Sequence, residues 1–438
     1  MPDPRIYAVA GNPVLHSLSP EIYRAGFDAV GFSGLATRLA ARTAAEIFIM
    51  AERLGLSGLN ITSPFKESVL PFLAALDPAA RALGAANTLV RRNGGWHGYN
   101  TDPDGVIGAL QASGKRPRGR RAVVLGAGGA GRAAAYGLSR AGALVTIVNR
   151  TAERAEGAAR DIGCGRASWE RRGECVRDAE IVVSCLSARE RTIEPECLHG
   201  GQAVLDARYP DSSLAEDAAG RGCAVIPAKE WLLHQALPAF GHFTGLPAPV
   251  AAMREGLNRA ASPLSKPGLA LIGFMGAGKS SVANVIAQRT GRRFIDTDAR
   301  IELQAGISVS GYFARFGEPA FRRRESRMLR NLKFDRDRVV ALGGGSVLDP
   351  DNGERVRRKA VTFWICSDPG RTARRISDGS RPLLPAEKSA EAAEALFRER
   401  IGAYARTADA VVLNDDGDGG PEAAAERIID EIRRALDD

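Results

Sequence analysis

Cysteine and histidine are scarce in this 438-residue chain, and neither is spaced to hold a metal. The six cysteines (Cys164, Cys175, Cys185, Cys197, Cys223, Cys366) form no C-x-x-C pair, and the five histidines form no H-x-x-x-H pattern. A zinc site is not expected, and in a chain this long the cysteines read as free thiols of a reducing cytoplasm. No apolar run approaches the roughly 20 residues that span a bilayer. The opening MPDPRIYAVAGNP has an arginine, an acid and no long apolar core, so no secretory leader is expected. A long basic block is missing too. The net charge is +9, from 60 basic and 51 acidic residues, yet the basic residues are dispersed. The densest run, RPRGRR at 116–121, reads as a solvated turn. Small anionic ligands account for the surplus without nucleic acid.

What is present is an α/β rhythm repeated with two different glycine motifs. RIYAVAG, LSGLNIT, RAVVLG, ALVTIVNR, EIVVSCL, QAVLDA and CAVIPA read as strands. Helical patterns fall at 19–30, 65–83, 129–141, 228–241 and 248–261, and the RNGG of NTLVRRNGGWHGYN has hairpin chemistry. Short apolar strands alternating with helices predict a parallel, doubly wound sheet. SPLSKPG (262–268) reads as a linker, and a second α/β unit follows with strands LALIGF, RRFID, RVVALGG, AVTFWIC and DAVVLN and a helix near 421–436.

The first motif, VVLGAGGAGR, sets Gly126, Gly128 and Gly131 at G-x-G-x-x-G spacing between a strand and a helix, with Ala127, Gly129 and Ala130 completing the turn. Such a turn brings backbone N–H groups to a pyrophosphate. The next strand ends in Asn149, Arg150 and Thr151, with Arg154 a helical turn on, where an acid would accept from a ribose 2′-hydroxyl. Two guanidinia suit a 2′-phosphate, so NADP(H) is expected rather than NAD. Lys66 and Asp102 are candidates for proton transfer to a reduced carbonyl.

The second motif, GFMGAGKSS (273–281), fits G-x-x-x-x-G-K-[ST]: Gly276, Ala277 and Gly278 wrap phosphate, Lys279 reaches the β/γ oxygens and Ser280 ligates Mg²⁺, with Ser281 following. ATP and Mg²⁺ are the ligands expected. FIDTDARIE places Asp296 and Asp298 at the end of the next strand, on one face by period two. One could hold hydrated metal and the other orient or deprotonate an acceptor hydroxyl, or both could cap the following helix.

GNPVLHSLSP, NITSPFKE, GAANT, NTDPDG, GAGGAGR and NRTAERA, in this order over residues 5–260, resemble shikimate dehydrogenase. The resemblance implies a substrate domain at 1–103 plus 236–261 and a Rossmann domain at 104–235. It assigns Ser17, Ser19, Thr62, Asn87 and Gln235 to the substrate, with Tyr209 close to a further family position, and makes Lys66 and Asp102 the catalytic pair. Ser19 ahead of a proline is also a good helix N-cap. The chain departs from the family at Ser184-Cys185-Leu186 and at Glu230 and Trp231, where added bulk could reshape the nicotinamide pocket.

GEPAFRRRE, ALGGGS, SRPLL and ERIGAY, together with the second motif, are similar to shikimate kinase over 268–438, a P-loop domain with a parallel, NMP-kinase-like sheet (269–438). That resemblance gives Arg322, Arg400, Gly343, Gly344 and Gly345 to the shikimate carboxylate and ring. It gives Asp298 to the ring hydroxyls, Asp296 to the metal side, Arg381 to the γ-phosphate and Arg374 to adenine. The implied partners are 3-dehydroshikimate and shikimate; a second copy of the chain is an open option, and membranes and nucleic acid are not. Two alternatives remain for the first half, a non-catalytic binding domain and a quinate-type dehydrogenase. AFRRRE with RPLL argues against a gluconate- or nucleotide-type kinase for the second.

Overall fold

The structure, a computed structural model, describes residues 4–186, 192–208, 212–370, 372, 390–415 and 419–437. Tyr209, Arg374 and Arg381 lie outside the described residues. The chain forms two compact units: Met1–Pro20, Gly31–Phe65 and Ala260–Asp438 make one, and Glu21–Val30 with Lys66–Arg259 make the other. Among the described residues no helix is long and apolar enough to cross a membrane.

The second unit is built on a six-stranded parallel sheet in the order Ala224–Ile226, Ala203–Asp206, Ile181–Ser184, Arg121–Leu125, Leu144–Val148, Gly165–Ala167. The strand order reverses beside Arg121–Leu125, so a crevice opens at the carboxyl end of that strand, where the first glycine motif lies. The central strands are apolar at nearly every position because helices cover both faces. Val124, Ile147, Val183 and Leu205 pack with Ala134 and Leu138 of helix Gly129–Arg140. The short strand Gly165–Ala167 has no apolar run and was not expected from its sequence.

The predicted hairpin forms between Thr88–Arg92 and Gly95–Tyr99. Asn93 and Gly94 both have positive φ, 43° and 79°, as a two-residue primed turn requires. The helix expected over 65–83 does not form as one element. A 3₁₀ turn at Leu70–Phe72 and a strand at Ala75–Leu76 precede a short helix, Pro78–Leu83, capped by Asp77 Oδ1 accepting from the Ala80 N–H at 2.7 Å. Pro71 and Pro78 interrupt the amide ladder that a continuous helix needs.

In the first unit eight parallel strands lie side by side: Arg293–Asp296, Arg338–Ala341, Gly268–Ile272, Ala360–Cys366, Ala410–Leu413, Gly34–Ala40, Arg5–Gly11, Leu56–Ile61. Trp364, Phe363 and Ile365 of the central strand Ala360–Cys366 are buried, each contributing roughly 1.5–3 kcal/mol of hydrophobic stabilisation for an aliphatic or phenyl-sized side chain. Strand Gly34–Ala40 was not expected, since Arg38 interrupts its apolar pattern; Arg38 is nevertheless wholly buried. The long helix Val309–Asn331 falls between the RRFID and RVVALGG strands, where helical patterns were expected. Its helical geometry breaks at Gly317 (φ 77°, ψ 165°), just ahead of Pro319. The 262–268 stretch is docked rather than loose. Pro263–Ser265 is a 3₁₀ turn, Lys266 Nζ donates to both oxygens of Asp409 at 2.6 and 2.7 Å, and Gly268 already begins a strand.

A Cβ on Gly131 would sit 1.9 Å from the Gly126 carbonyl oxygen, whereas one on Gly129 meets nothing within 4 Å. Gly131→Ala should therefore destabilise the full chain by at least about 1–3 kcal/mol in urea titration. Gly129→Ala should leave the midpoint nearly unchanged. Equal midpoints would mean that helix and strand do not approach as closely as described.

Candidate active sites

In the second unit the chain leaves strand Arg121–Leu125 at Gly126, whose φ of 107° excludes a side chain, and enters helix Gly129–Arg140 with Gly128 as its N-cap. Gly128 has no side chain to satisfy the first-turn amides, and added Cβ atoms at Gly128 and Gly129 meet open space. Unpaired N–H groups facing space are a phosphate cradle. Asn149 braces it: Oδ1 accepts from the Ala127 N–H at 3.1 Å, and Nδ2 donates to the Thr151 carbonyl at 3.0 Å. Arg150 and Arg154 are exposed, and neither has a hydrogen bond or ion pair among the described residues. Two free guanidinia beside a phosphate cradle fit a 2′-phosphate.

The same unit brings Lys66, Asn87, Asp102 and Gln235 into one cluster. Lys66 Nζ donates to Asp102 Oδ2 at 2.5 Å. Asn87 Nδ2 donates to Asp102 Oδ1 at 2.8 Å, to Thr101 Oγ1 at 3.0 Å and to Gln235 Oε1 at 3.4 Å. The other face of Asn87 is fixed too, since Oδ1 accepts from the Thr101 N–H at 2.9 Å. The pair is thus oriented from both ends: a carboxylate with a buried amide on one oxygen and an ammonium on the other. Sequence reasoning missed two supports. Asn100 Oδ1 accepts from the Asp102 N–H at 3.2 Å, and Trp231 Nε1 donates to the Asp102 carbonyl at 3.0 Å. Asn100 lies inside the NTDPDG motif, so proximity was the available signal; nothing in the sequence tied Trp231 to Asp102.

The two residues expected to disturb this region are held by neighbours of their own. The Trp231 indole packs over Gly105, where a Cβ would come within 2.5 Å of it. Glu230 forms an ion pair with Arg254, and His234 Nε2 lies 3.5 Å from its other oxygen. Burial holds His234 below its ordinary pKa, with Glu230 opposing, so the ring is neutral at pH 7. The Cys185 thiol is held well above its usual range by burial and by the Asp206 and Asp102 carboxylates. It is therefore a neutral side chain at the mouth of the glycine turn rather than a nucleophile. Ser17, Ser19 and Thr62 belong to the first unit. There the helix starts at Ser19 itself, and the Ser17 hydroxyl lies 3.3 Å from that of Ser19 and accepts from the Ser19 N–H at 3.4 Å.

The second motif of the first unit turns through Gly273, Gly276 and Gly278, all at positive φ (141°, 73° and 86°), before helix Lys279–Thr290. A Cβ on Gly278 would strike Asn414 Nδ2 at 2.4 Å, and the same Nδ2 donates to the Ala277 carbonyl at 2.7 Å. Lys279 is buried, with Nζ donating to the Phe274 carbonyl at 2.9 Å across the loop. Ser280 Oγ donates to Asp296 Oδ2 at 2.5 Å. This hydroxyl and carboxylate fit a hard divalent cation that takes its remaining ligands from phosphate and water. Asp296 Oδ1 also caps helix Thr297–Ala305, accepting from the N–H groups of Asp298 and Ala299 at 2.9 and 3.1 Å. Asp298 is accordingly in the first helical turn. The expected alternation of Asp296 and Asp298 along one strand face does not hold, because the strand ends at Asp296.

Beside this loop lies a pocket lined by Met275, Asp298, Val309, Phe313, Phe321, Arg322, Glu325, Gly344, Gly345 and Arg400. Arg322 donates from Nη1 to Glu325 Oε2 at 2.8 Å and from Nη2 to Glu318 Oε1 at 3.0 Å. Gly345 lets the guanidinium approach the loop, since a Cβ there would lie 2.4 Å from Arg322 Nη1 and would force the side chain to shift. A Cβ on Gly343 would lie 2.4 Å from Asp298 Oδ1 and 2.8 Å from Glu325 Oε1, so both carboxylates converge on that glycine. Arg400 is buried, and its Nε has no hydrogen-bond partner among the described residues, although Nη1 reaches the Gly344 carbonyl at 3.4 Å. A buried guanidinium with an unmatched donor fits an anionic ligand. Burial pushes Tyr404 up to about 12, keeping its hydroxyl a donor to the Gly344 carbonyl at 2.5 Å. Glu325 was not singled out from the sequence. It is almost fully buried, burial raises its pKa against the pull of Arg322, and it accepts from Ser346 Oγ at 2.5 Å.

Three family models match the chain: shikimate dehydrogenase substrate binding domain at 9–89, shikimate/quinate 5-dehydrogenase at 109–207 and shikimate kinase at 275–433. The NADP⁺-dependent shikimate dehydrogenase of Halobacterium salinarum is 40% identical over 262 residues, 58% of this chain and 98% of that protein. That of Moorella thermoacetica is 37% identical over 58% of this chain and 93% of its own length. Among solved structures, shikimate 5-dehydrogenase from Thermus thermophilus in complex with NADP(H) and shikimate has a TM-score of 0.55 at 32% identity, covering 59% of this chain and 100% of that one.

Glu325→Ala would strand the Arg322 guanidinium and the Ser346 hydroxyl. It is expected to lower the stability of the full chain by about 3 kcal/mol in urea titration, the range for breaking a buried pair from one side. A change below about 0.5 kcal/mol, as at ordinary surface positions, would remove Glu325 from the frame of the pocket.

Proposed function

The chain belongs to the shikimate dehydrogenase family and carries a shikimate kinase domain behind it, and we propose that it reduces 3-dehydroshikimate to shikimate with NADPH and then phosphorylates shikimate at the 3-hydroxyl with ATP. The observation that supports this reading best is the contact of Lys66 Nζ with Asp102 Oδ2 at 2.5 Å, braced by Asn87. A ketone that accepts hydride becomes an alkoxide and must take a proton. The Lys66 ammonium supplies one, and Asp102 aims it. Gly126–Gly131 would hold NADPH, with Arg150 and Arg154 toward its 2′-phosphate, and the bound cofactor would supply the hydride. Asn87 and Gln235 orient the ring hydroxyls, and the family resemblance adds Ser17, Ser19 and Thr62 at the substrate.

In the kinase, Arg322 and Arg400 hold the shikimate carboxylate, and the small backbones of Gly344 and Gly345 let the ring approach. Asp298 accepts the proton of the attacking hydroxyl. Lys279 steadies the phosphates as charge shifts between them. Ser280 and Asp296 would hold Mg²⁺, which neutralises phosphate charge when bound. The free guanidinia of Arg150 and Arg154 favour NADP(H) over the NAD of a quinate-type relative. The braced Lys66–Asp102 pair favours turnover over mere binding.

Lys66→Ala should retain shikimate and NADPH binding while dehydroshikimate reduction, followed by NADPH absorbance, falls by at least ~10². Near-normal turnover would sink the assignment. Asp298→Asn should keep ATP affinity and lose phosphoryl transfer by a comparable ~10², read as ADP release with shikimate. An unaltered rate would require another proton acceptor.

A further inference from the structure

Both halves of the first unit end in an edge strand, and these two edges meet. Gly34–Ala40 of the dehydrogenase pairs in parallel with Ala410–Leu413 of the kinase, with Leu39 opposite Val411. Left open, each edge would expose a row of backbone donors and acceptors. The core is shared as well: Val9, Val14, Leu15 and Ala40 pack in one cluster with Leu269, Val339 and Ile428. Ion pairs cross the seam, a half-buried one with Arg53 bidentate on Asp415 at 2.9 and 2.7 Å and a buried one with Arg427 on Glu46 at 3.2 Å.

Two of the crossing contacts converge on the turn that carries Ser17. Glu431, on kinase helix Gly420–Asp437, is 3% exposed, and its Oε1 accepts from the N–H of Val14 and, at 2.7 Å, from that of Leu15. The turn closes with the Ser17 N–H on the Val14 carbonyl at 3.0 Å. From the other side, Arg38 donates to the Ser17 carbonyl from Nε at 2.9 Å and Nη2 at 2.6 Å, while its Nη1 reaches the kinase Asp409 carbonyl at 3.3 Å. The amides of the turn are held by a kinase carboxylate, and its carbonyl by an arginine anchored on the residue just ahead of kinase strand Ala410–Leu413.

We propose that the kinase domain supplies Glu431 as a positioning residue for the dehydrogenase, fixing the 14–17 turn so that Ser17 and Ser19 meet the keto acid. This rests on the reading of those serines as substrate hydroxyls. Nothing in either family's own motifs requires it, because the residue that acts and the reaction it serves lie in different enzymes of the fusion.

The test uses the full-length chain. Glu431→Ala leaves two buried amides without an acceptor and should raise the KM for 3-dehydroshikimate about tenfold, with kcat and the KM for NADPH within about twofold. Amide exchange at Val14 and Leu15 should quicken in parallel. Glu431→Gln, which keeps an acceptor oxygen, should recover most of the affinity. Arg38→Lys, which keeps the charge but loses the fork, should raise the same KM and serves if Glu431→Ala does not fold. An unchanged KM, or a loss shared equally by kinase kcat and KM, overturns the proposal. Ser17→Ala separates the two failures. If it raises the KM while the Glu431 and Arg38 variants do not, only the positioning role falls; if it too is silent, the substrate reading of Ser17 falls with it.

Discussion

An anion bound by protein must be met by donors that are not already spoken for, and a helix N-terminus behind a glycine turn is where a backbone has them to spare. This chain builds that arrangement twice. Gly126 to Gly131 and Gly273 to Gly278 both take strand to helix through positive-φ glycine, and neither places a capping side chain on the first-turn amides. The remaining chemistry sits within reach of one cradle or the other: Arg150 and Arg154 at the first, Lys279, Ser280 and Asp296 at the second. On the proposed reading the carboxylate of the shared metabolite would be the third anion, and the unmatched Nε of buried Arg400, in the pocket beside Arg322, is the donor that fits it.

The acids of the sites are held as firmly as the bases. Asp102 is constrained by Lys66, Asn87, Asn100 and Trp231 together, and Asp296 divides its oxygens between a helix cap and Ser280. Such division lets one carboxylate serve structure and chemistry at once, since each oxygen has lone pairs for more than one donor. The seam between the kinase and the strands of residues 5–61 follows the same economy. Arg38 and Glu431 satisfy backbone groups of the 14–17 turn while burying themselves in a continuous sheet and core.

Much of this was legible in the sequence, and the parts that were not share a cause. Glycine motifs carry their own geometry, so the turns at Gly126 and Gly273, the NG hairpin and the strands around them could be read directly. The Lys66–Asp102 contact was anticipated through the family resemblance. What stayed hidden depends on partners far along the chain. Strand Gly34–Ala40 contains an arginine that the Ser17 and Asp409 carbonyls help make tolerable. Glu325 looked like one more charge after three arginines until Arg322 and Ser346 closed on it. The 65–83 helix was over-read because its apolar spacing outweighed Pro71 and Pro78. Asp298 was placed on a strand that had already ended.

The most direct test of the account is a single reaction of the purified chain with 3-dehydroshikimate, NADPH and ATP·Mg, in which NADPH loss and ADP gain are recorded separately. Two sequential chemistries on one acid predict that NADPH falls first, that ADP rises toward the same final amount, and that omitting NADPH abolishes the ADP signal. ADP formed from dehydroshikimate without NADPH, or NADPH left unconsumed while added shikimate is still phosphorylated, would contradict it.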